Sequence, residues 1–559
     1  MANLILTPVT LWKDFDETLP LDEEVLSESA EEDMLVREIA FSGRDTGEGR
    51  VRIFTTFFTP VGKNSFPAAM VLFDAGAPFD REFAQLLVKR GYGVLAVDYC
   101  GETETGKYTV YPKNIDYANY MRAGRHLEYA EPTAKETSWY EWAGVARYAA
   151  RFLAERPEVT KVGAIGLRTG GEVLFKIAPY APLACMISVC AAGWLAYRGV
   201  ERFTDTGKPI FDDERHRFIA GIDSQSYAPH IKCPVLLLSA INDKKYNYDR
   251  VYDTFLQINP EVEKAILFSA HGNGLIGSHS YENLYLFLDK FLKGHSVYIS
   301  RPISVTVEED GEGRLVARSA FDTAGEISEY GIFYAERSTG AKMREWTRVY
   351  GKGLSENEGV IPFSVYEGSE KGLIYAFVRY SNNFSVTSKI QEFTIKKRYT
   401  NSLLKSRVLY ASSDGGYGGF IPFRRRAHSI AGCFAVGSDS VVRTEAGYGG
   451  ILGVQVGKGI ASYRVAEKRY APPEGVSLRF DAWCKENATL KVIFYKDAEE
   501  AVAYSCELPV AGGGKWKSVV LDANDFKTEA GVSMNGFAGS VSLVFLSEED
   551  VLVNNILWL

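Results

Sequence analysis

Residues 162–175 read VGAIGLRTGGEVLF, and this stretch decides the fold of the first half of the chain. It opens with a short run of small and β-branched apolar residues, which is typical of a buried strand. It closes with apolar side chains at helical spacing, and the glycines Gly166, Gly170 and Gly171 permit a sharp bend between the two patterns. The stretch therefore predicts a strand, a tight turn centred on Arg168, and a helix.

The same alternation of short apolar runs with amphipathic segments extends from about residue 36 to residue 294. It predicts a mainly parallel sheet covered by helices, with an antiparallel hairpin at one edge. The predicted strands are Arg37–Phe41, Val51–Phe58, Ala69–Phe73, Gly93–Val97, Lys161–Ile165, Ala184–Val189, Val235–Leu238 and Lys264–Phe268, and the predicted helices include Arg81–Arg90, Glu141–Arg156 and Glu172–Ala178.

Five segments in order carry a family resemblance. They are VLFDAGAP (71–78), GYGVLAVDYCGE (91–102), the stretch 162–175, PVLLLSAINDKKY (234–246) and the run from 265 to 294 that begins AILFSAHGNG. In order and spacing they resemble the landmarks of the α/β-hydrolase superfamily, above all its acetyl-xylan-esterase, dienelactone-hydrolase and prolyl-oligopeptidase-like branches. The resemblance implies an α/β-hydrolase fold for residues 1–298.

The nucleophile position of that family is altered in this chain. The family's turn is G-x-S-x-G, with the serine projected into the active site by a strained strand-to-helix bend, and here Arg168 stands at the serine position. A guanidinium stays protonated and has no free lone pair with which to attack an acyl carbon. The resemblance and this replacement together predict the absence of serine-type catalysis. Thr169 and Cys100 are candidate replacement nucleophiles. The alternative interpretation is that both side chains have only a packing role.

The resemblance also implies positions for the other two triad members. An acid follows the seventh strand of the family, and here Asp243 follows VLLLSAIN; the alternative is a loop aspartate that caps the next helix. A histidine follows the eighth strand, where His271 is the better match and His279 the alternative. This pair would serve as a remnant or an active acid and base.

Two interpretations of Arg168 remain open. It forms a structural ion pair with Asp243 or another acid, or it is an anion receptor at a helix N-terminus. The loop that supplies an oxyanion-hole N–H in the family contains Asp74 and Gly76 here. A carboxylate at this position disfavours acyl transfer, because it lies near the developing oxyanion. Asp74 is the preferred partner of Arg168, and Asp74, Gly76 and Thr169 are candidate ligand-binding residues.

A long aromatic insert precedes the helix predicted at Glu141. Aromatic rings with polar handles line many polar binding clefts, while the alternative is that they pack the insert against the sheet. The insert contains Tyr108, Tyr111, Tyr117, Tyr120, Tyr129, Trp139, Tyr140 and Trp142, of which Tyr111, Tyr120 and Trp139 are predicted to contact a saccharide or other small-molecule ligand.

Beyond residue 298 the helical pattern ends and strands recur between turn residues. Two β-sandwiches are predicted, an immunoglobulin- or fibronectin-like one over 299–397 and a jelly-roll-like one over 398–559. The last one resembles the accessory domains of glycan-active enzymes, many of which bind carbohydrate, in the stretch WKSVVLDANDF (516–526) and the terminal NNILWL. Tyr417, in the loop SDGGYGGF, is the predicted ligand contact of that domain.

Composition, charge and cysteine spacing argue against several classes of function. The 559 residues carry 63 Lys and Arg against 71 Asp and Glu, a net charge of −8 that argues against a nucleic-acid partner. No signal peptide or apolar run of spanning length is evident, which predicts a cytoplasmic protein without a membrane partner. The seven cysteines are scattered without paired spacing, so neither a metal site nor a disulfide framework is expected, and no cofactor is implied.

Three functions follow from the sequence. The first is a hydrolase-fold protein that has lost its nucleophile and binds a saccharide-related or anionic ligand. The second is an esterase or deacylase in which His271 and Asp243 activate water and Arg168 holds the substrate. The third is a structural protein that assembles, as a homo-oligomer, through its β-sandwiches.

Overall fold

A computed structural model of the chain describes most of its residues. The described ranges are 4–31, 33–102, 106–197, 200, 202–203, 210–243, 245–246, 248–269, 278–322, 324–336, 340–341, 344–355, 357–414, 419–423, 442, 444–497 and 500–559. Within these ranges, no helix combines the length and the apolar character needed to cross a membrane.

The α/β unit comprises the helices and strands of the first half of the chain. Its helices are α1 (Pro8–Leu11), α2 (Arg81–Lys89), α3 (Ser138–Ala154), α4 (Thr169–Ile177), α5 (Asp213–Gly221), α6 (Ser224–Tyr227), α7 (Tyr248–Gln257) and α8 (Ser278–Lys293). Its strands are β1 (Glu24–Ala30), β2 (Met34–Asp45), β3 (Arg50–Pro60), β4 (Phe66–Leu72), β5 (Gly93–Asp98), β6 (Val159–Leu167), β7 (Cys185–Val189), β8 (Val235–Ala240) and β9 (Lys264–Ser269).

These strands form one mixed sheet in the order β1-β2-β3-β5-β4-β6-β7-β8-β9. The pairs from β5 to β9 are parallel, whereas β1, β2 and β3 are antiparallel. Helices α3, α4 and α7 pack on one face and helices α2 and α8 on the other, which is why the central strands are apolar on both sides. The order and direction of the strands are those of an α/β-hydrolase fold, as the sequence predicts.

The middle sandwich is built from the next eight strands. They are β10 (Ser304–Glu309), β11 (Leu315–Ala320), β12 (Ile327–Glu336), β13 (Thr347–Tyr350), β14 (Glu358–Pro362), β15 (Lys371–Tyr380), β16 (Ser385–Thr387) and β17 (Gln391–Thr394). Over the described residues they form a sheet β10-β11-β14 and a second sheet β13-β12-β15-β16, with β17 on β15; all the pairs are antiparallel.

The last sandwich is also antiparallel. Its strands are β18 (Val408–Tyr410), β19 (Phe420–Pro422), β20 (Thr444–Ala446), β21 (Leu452–Gln455), β22 (Ile460–Ser462), β23 (Leu478–Cys484), β24 (Ala488–Tyr495), β25 (Ala503–Val510), β26 (Lys517–Leu521), β27 (Ser542–Leu546) and β28 (Val551–Trp558). Among described residues the two sheets run β20-β21-β28-β23-β26, with β18 on β28, and β19-β22-β27-β24-β25, and they share one apolar core.

The middle sandwich packs directly on the edge of the large sheet. The backbone N–H of Phe268 in β9 donates to the Thr387 hydroxyl at 3.1 Å. The Asn283 side chain in α8 exchanges two hydrogen bonds with the backbone of Ser385, at 2.7 and 2.9 Å. Strand β16 therefore lies beside β9 and covers that end of the α/β unit.

Candidate functional site

Arg168 lies in the turn between β6 and α4, at the centre of the site. Its backbone has φ +50° and ψ −110°, a conformation that costs energy for any residue with a side chain. The flanking glycines make the turn possible: a Cβ on Gly170 would lie 2.2 Å from the Leu72 carbonyl oxygen, and one on Gly166 would lie 2.5 Å from the carbonyl oxygen of Gly170. The strained bend expected from the glycine pattern is present, with an arginine at its apex.

The Arg168 guanidinium bridges two carboxylates. Its Nε lies 3.3 Å from Oδ2 of Asp74, and its Nη1 lies 3.2 Å from Oδ2 of Asp243. The pairing with Asp74 expected from the sequence is therefore confirmed. The second ion pair means that the two acids and the arginine carry a combined charge of −1 when all three are ionised.

Asp74 also binds the first residue of helix α4. Its Oδ1 accepts hydrogen bonds from the Thr169 backbone N–H at 3.2 Å and from the Thr169 hydroxyl at 2.7 Å. In hydrolases of this fold, the backbone N–H that follows the nucleophile is a donor of the oxyanion hole. In this chain the Asp74 carboxylate already accepts a hydrogen bond from that N–H group.

Asp243 is buried, with 1% of its surface exposed, in the loop after β8. Its Oδ1 accepts the backbone N–H groups of Lys245 and Tyr246, at 2.8 and 3.0 Å, while its Oδ2 faces Arg168. The carboxylate therefore both orders its own loop and pairs with Arg168 in the turn between β6 and α4, which we call the elbow.

His271, the predicted triad histidine, lies outside the described residues. His279 lies at the start of α8, with its Nδ1 3.6 Å from Oε2 of Glu282.

Gly76 and Tyr120 lie against each other at the loop after β4. Gly76 has φ +75°, and a Cβ there would lie 2.8 Å from the Tyr120 ring. The Gly76 backbone N–H points to the Sγ of Cys100 at 3.5 Å. Tyr120 keeps 37% of its surface exposed at the rim of this loop.

Tyr111 and Trp139 are not brought to this loop surface. Both are buried, with 7% and 1% exposed. The Trp139 indole N–H donates to the Leu127 carbonyl at 2.8 Å, and its ring packs edge-on against Trp142. For these two residues the structure matches the packing alternative. Tyr417 lies outside the described residues.

Tyr246 is a site residue that the sequence did not single out. It is fully buried, and its hydroxyl lies beside Thr169 without a hydrogen bond of normal geometry. Burial, and then the charge of Asp74, raise the pKa of this phenol well above its usual value. The Arg168 guanidinium carbon lies 5.4 Å from the centre of its ring, within cation–π range.

A buried charged cluster lies behind the elbow, on helix α4. The Lys176 ammonium lies 4.0 Å from Oε2 of Glu172, and burial lowers the pKa of Lys176 to about 8. Burial also raises the pKa of Asp223 to about 6. Glu172 and Asp223 accept the backbone N–H groups of Ala192 and Ala196, so the cluster ties the elbow helix to the segment after β7. The i, i+4 spacing of Glu172 and Lys176 is the sequence feature that could have indicated their ion pair.

Within the described residues, no group of three His, Cys, Asp or Glu side chains is arranged to hold a metal ion. The groups assembled at the elbow are instead an ion-paired guanidinium, two carboxylates and two hydroxyls. Such a set can hold polar groups by hydrogen bonds. It offers no ionised nucleophile aimed by the turn.

Comparison with known proteins finds likeness over parts of the chain. No family model matches. Acyl-coenzyme A thioesterases 3 and 5 of Mus musculus are 32% and 31% identical over 135 residues, which are 24% of this chain and 24% and 25% of theirs. The match thus spans about a quarter of the length of these curated relatives.

Solved structures similar to the chain include acetyl xylan esterases and an acylaminoacyl peptidase. Acetyl xylan esterase 1 of Thermoanaerobacterium sp. JW/SL YS485 is 17% identical, with 48% of this chain and 91% of that chain covered and a TM-score of 0.37. The acetyl xylan esterase of Paenibacillus sp. R4 is 15% identical, with 51% and 92% covered and a TM-score of 0.39. The sequence matches cover about a quarter of this chain, and the structural matches cover about half of it.

Proposed function

We propose that the α/β unit is an esterase-like domain that binds a ligand without serine acyl transfer. The observation that carries the proposal is the carboxylate of Asp74, which is held at once by Arg168 and by the Thr169 backbone N–H. An acyl group would have to displace this carboxylate to use the oxyanion donor, and it would still meet a guanidinium where a nucleophile is required.

The charge of the site favours a neutral polar ligand over an anion. Arg168 is already matched by Asp74 and Asp243, so a further anion beside this guanidinium would also face two carboxylates. The exposed ring of Tyr120 at the loop rim suits the C–H face of a sugar, and hydroxyl groups of a saccharide suit the neighbouring carboxylate. A saccharide-related ligand therefore fits the proposal better than a carboxylate or phosphate.

The test measures hydrolysis of a small aryl acetate, an acetylated oligosaccharide and an acyl-CoA thioester. We expect no turnover by the wild type or by Arg168→Ala. We expect acetate release to appear in the double variant Arg168→Ser/Asp74→Gly, because it restores a hydroxyl at the turn and frees the Thr169 N–H. Arg168→Ala/Asp74→Gly is the matched control that opens the site without a nucleophile.

Wild-type turnover that is lost in His271→Ala would contradict the proposal. It would establish instead the hydrolase in which His271 and Asp243 activate water. Binding is measured separately, by calorimetry with the acetylated oligosaccharide, and Tyr120→Ala is expected to weaken it at least tenfold. Equal binding by the wild type and this variant would rule out Tyr120 as a ligand contact.

A further inference from the structure

Three carboxyl groups meet where the middle sandwich contacts the last one. They surround a cavity of about 40 Å³, large enough for a few water molecules. The cavity is lined by side chains of both sandwiches, among them Tyr334, Glu336 and Glu345 from the middle one and Arg464, Glu467 and Arg469 from the last one.

Glu345 belongs to the middle sandwich and contacts the last one across this junction. It is 7% exposed, and its Oε1 lies 3.5 Å from Nε of Arg464. Arg464 is anchored in the last sandwich by its Nη1, which donates to the Leu409 carbonyl at 2.6 Å. A Cβ on Gly419 would lie 1.5 Å from Oε1 of Glu345, so the carboxyl group is seated against a glycine backbone of the last sandwich. The carboxyl group is therefore enclosed only while the sandwiches are docked.

We propose that this junction is a proton-operated latch, in which Glu336, Glu345 and Glu467 together hold at least one proton while the sandwiches are docked and release it when they separate. Geometry gives the reason. Three carboxylates around one small cavity repel one another, and taking them out of water penalises their charged forms. Protonation relieves both costs and leaves Arg464 and Arg469 to balance the carboxylates that remain ionised.

The proton affinities agree with this arrangement. Burial raises the pKa of Glu345 to about 7, against the opposing effect of Arg464. Burial, and then the charges of Glu336 and Glu345, raise the pKa of Glu467 well above its usual value. Burial also raises the pKa of Glu336. Because the three groups interact, the protons belong to the cluster as a whole.

The surrounding groups do not cancel these shifts. Lys468 faces Glu336 and lies 3.9 Å from the exposed Glu370 at the rim of the junction. Among the described residues, the other charged or titratable groups that face the cluster are Arg464 and Arg469, which favour ionisation of the carboxyl groups, and the phenols Tyr334, Tyr366, Tyr463 and Tyr470.

The pKa shifts fix the direction of the pH dependence. A separated Glu345 titrates near its ordinary value of about 4.5, and a docked one near 7. Between these pH values only the docked state holds the proton, so docking weakens as the pH rises, about tenfold per pH unit for each proton held. Docking is therefore strongest in mild acid and loosens towards neutrality.

Hydrogen exchange of the full chain tests the latch. Three backbone hydrogen bonds hold the segment around Leu403 at the junction. Glu367 donates to the Leu403 carbonyl, Leu403 donates to the Val365 carbonyl, and Ser406 donates to the Arg469 carbonyl. In the wild type we expect their protection, corrected for intrinsic exchange, to fall by more than tenfold in total between pH 5 and 7. In Glu345→Gln/Glu467→Gln, which mimics two protonated groups, we expect protection to fall much less with pH, because Glu336 alone of the three still titrates.

Two further variants keep the test decisive. Glu370→Gln, at the exposed rim, is the matched control and should keep the wild-type profile. Arg464→Met should extend the fall to higher pH, because the guanidinium lowers the pKa of Glu345. A flat profile in the wild type, or an undiminished slope in the double variant, would overturn the latch.

Discussion

Arg168 and Asp243 form an ion pair of 3.2 Å although 75 residues separate them in the chain. The pair joins the elbow to the loop after β8. Since Asp243 is 1% exposed, Arg168 is the cation that compensates a carboxylate out of contact with water. An arginine at this turn thus stabilises the loop that would carry the acid of a triad.

Replacing Arg168 should therefore cost stability. We expect Arg168→Met to lower the free energy of unfolding by about 3 kcal/mol, because a buried carboxylate loses its cation. Urea unfolding at pH 7 measures the change. Arg168→Met/Asp243→Asn should recover much of the loss, and Arg122→Met, which breaks only exposed pairs, should cost under about 1 kcal/mol. Equal costs for the two arginines would contradict the role of Arg168.

Gly76 should be intolerant of a side chain for two separable reasons. Its φ of +75° disfavours any residue other than glycine by about 1 kcal/mol, and a Cβ would meet the Tyr120 ring at 2.8 Å. Gly47→Ala is the matched control, because Gly47 has φ +86° with open space around it. We expect Gly76→Ala to lower the melting temperature more than Gly47→Ala. Adding Tyr120→Ala should remove the difference; if it does not, the clash is not its cause.

Lys176 should give the stability of the protein a distinct alkaline dependence. Its pKa is lowered to about 8 in the folded chain and returns to about 10.5 on unfolding. Between these values the unfolded chain holds the extra proton, so rising pH stabilises the wild type relative to Lys176→Met, by up to about 1.4 kcal/mol per unit. Urea unfolding from pH 7 to 10 measures this, with the exposed Lys161→Met as control. Parallel profiles for the wild type and Lys176→Met would rule the effect out.

Cys100 should be a poor nucleophile. Burial, and then the charge of Asp98, raise the pKa of its thiol well above the ordinary value, and reactivity requires the thiolate. With iodoacetamide at pH 8 we expect the partly exposed Cys506 to be alkylated before Cys100 in the native protein, as read by peptide mass spectrometry. In urea the two should react alike. Preferential alkylation of native Cys100 would support a catalytic thiol instead.

Strands buried on both faces were predictable from the sequence. Each of the seven predicted from Val51 to Phe268 corresponds to an observed strand, because a run of apolar residues between turn signals needs no tertiary information to be recognised. Strand β1 was missed, because all seven of its residues are exposed and it shows no alternation. Trp483 lies half-buried on the outer side of β23, since the inward positions of that strand are taken by Leu478, Phe480, Ala482 and Cys484.

The site was predictable only in part. Arg168 and Asp74 stand at positions that motifs identify, so their pairing followed from the sequence. Two features could not be predicted: the Asp243 carboxylate binds both Arg168 and the N–H groups of its own loop, and the hydroxyl of Tyr246 is buried at the site. Both depend on how one loop folds over another. The lowered pKa of Lys176 could not be predicted either, since the burial of its side chain depends on elements far apart in the chain.

Strand β16 has a consequence for how the chain folds. It contacts the β9 edge of the large sheet through Thr387 and helix α8 through Ser385. The apolar core beneath the sheet continues into Phe333, Trp346 and Tyr375 of the middle sandwich. A chain ending at residue 298 would expose an unpaired edge and part of its own core to solvent. The α/β unit and the middle sandwich should therefore unfold in a single cooperative transition, although their sequence patterns assign them to different fold classes.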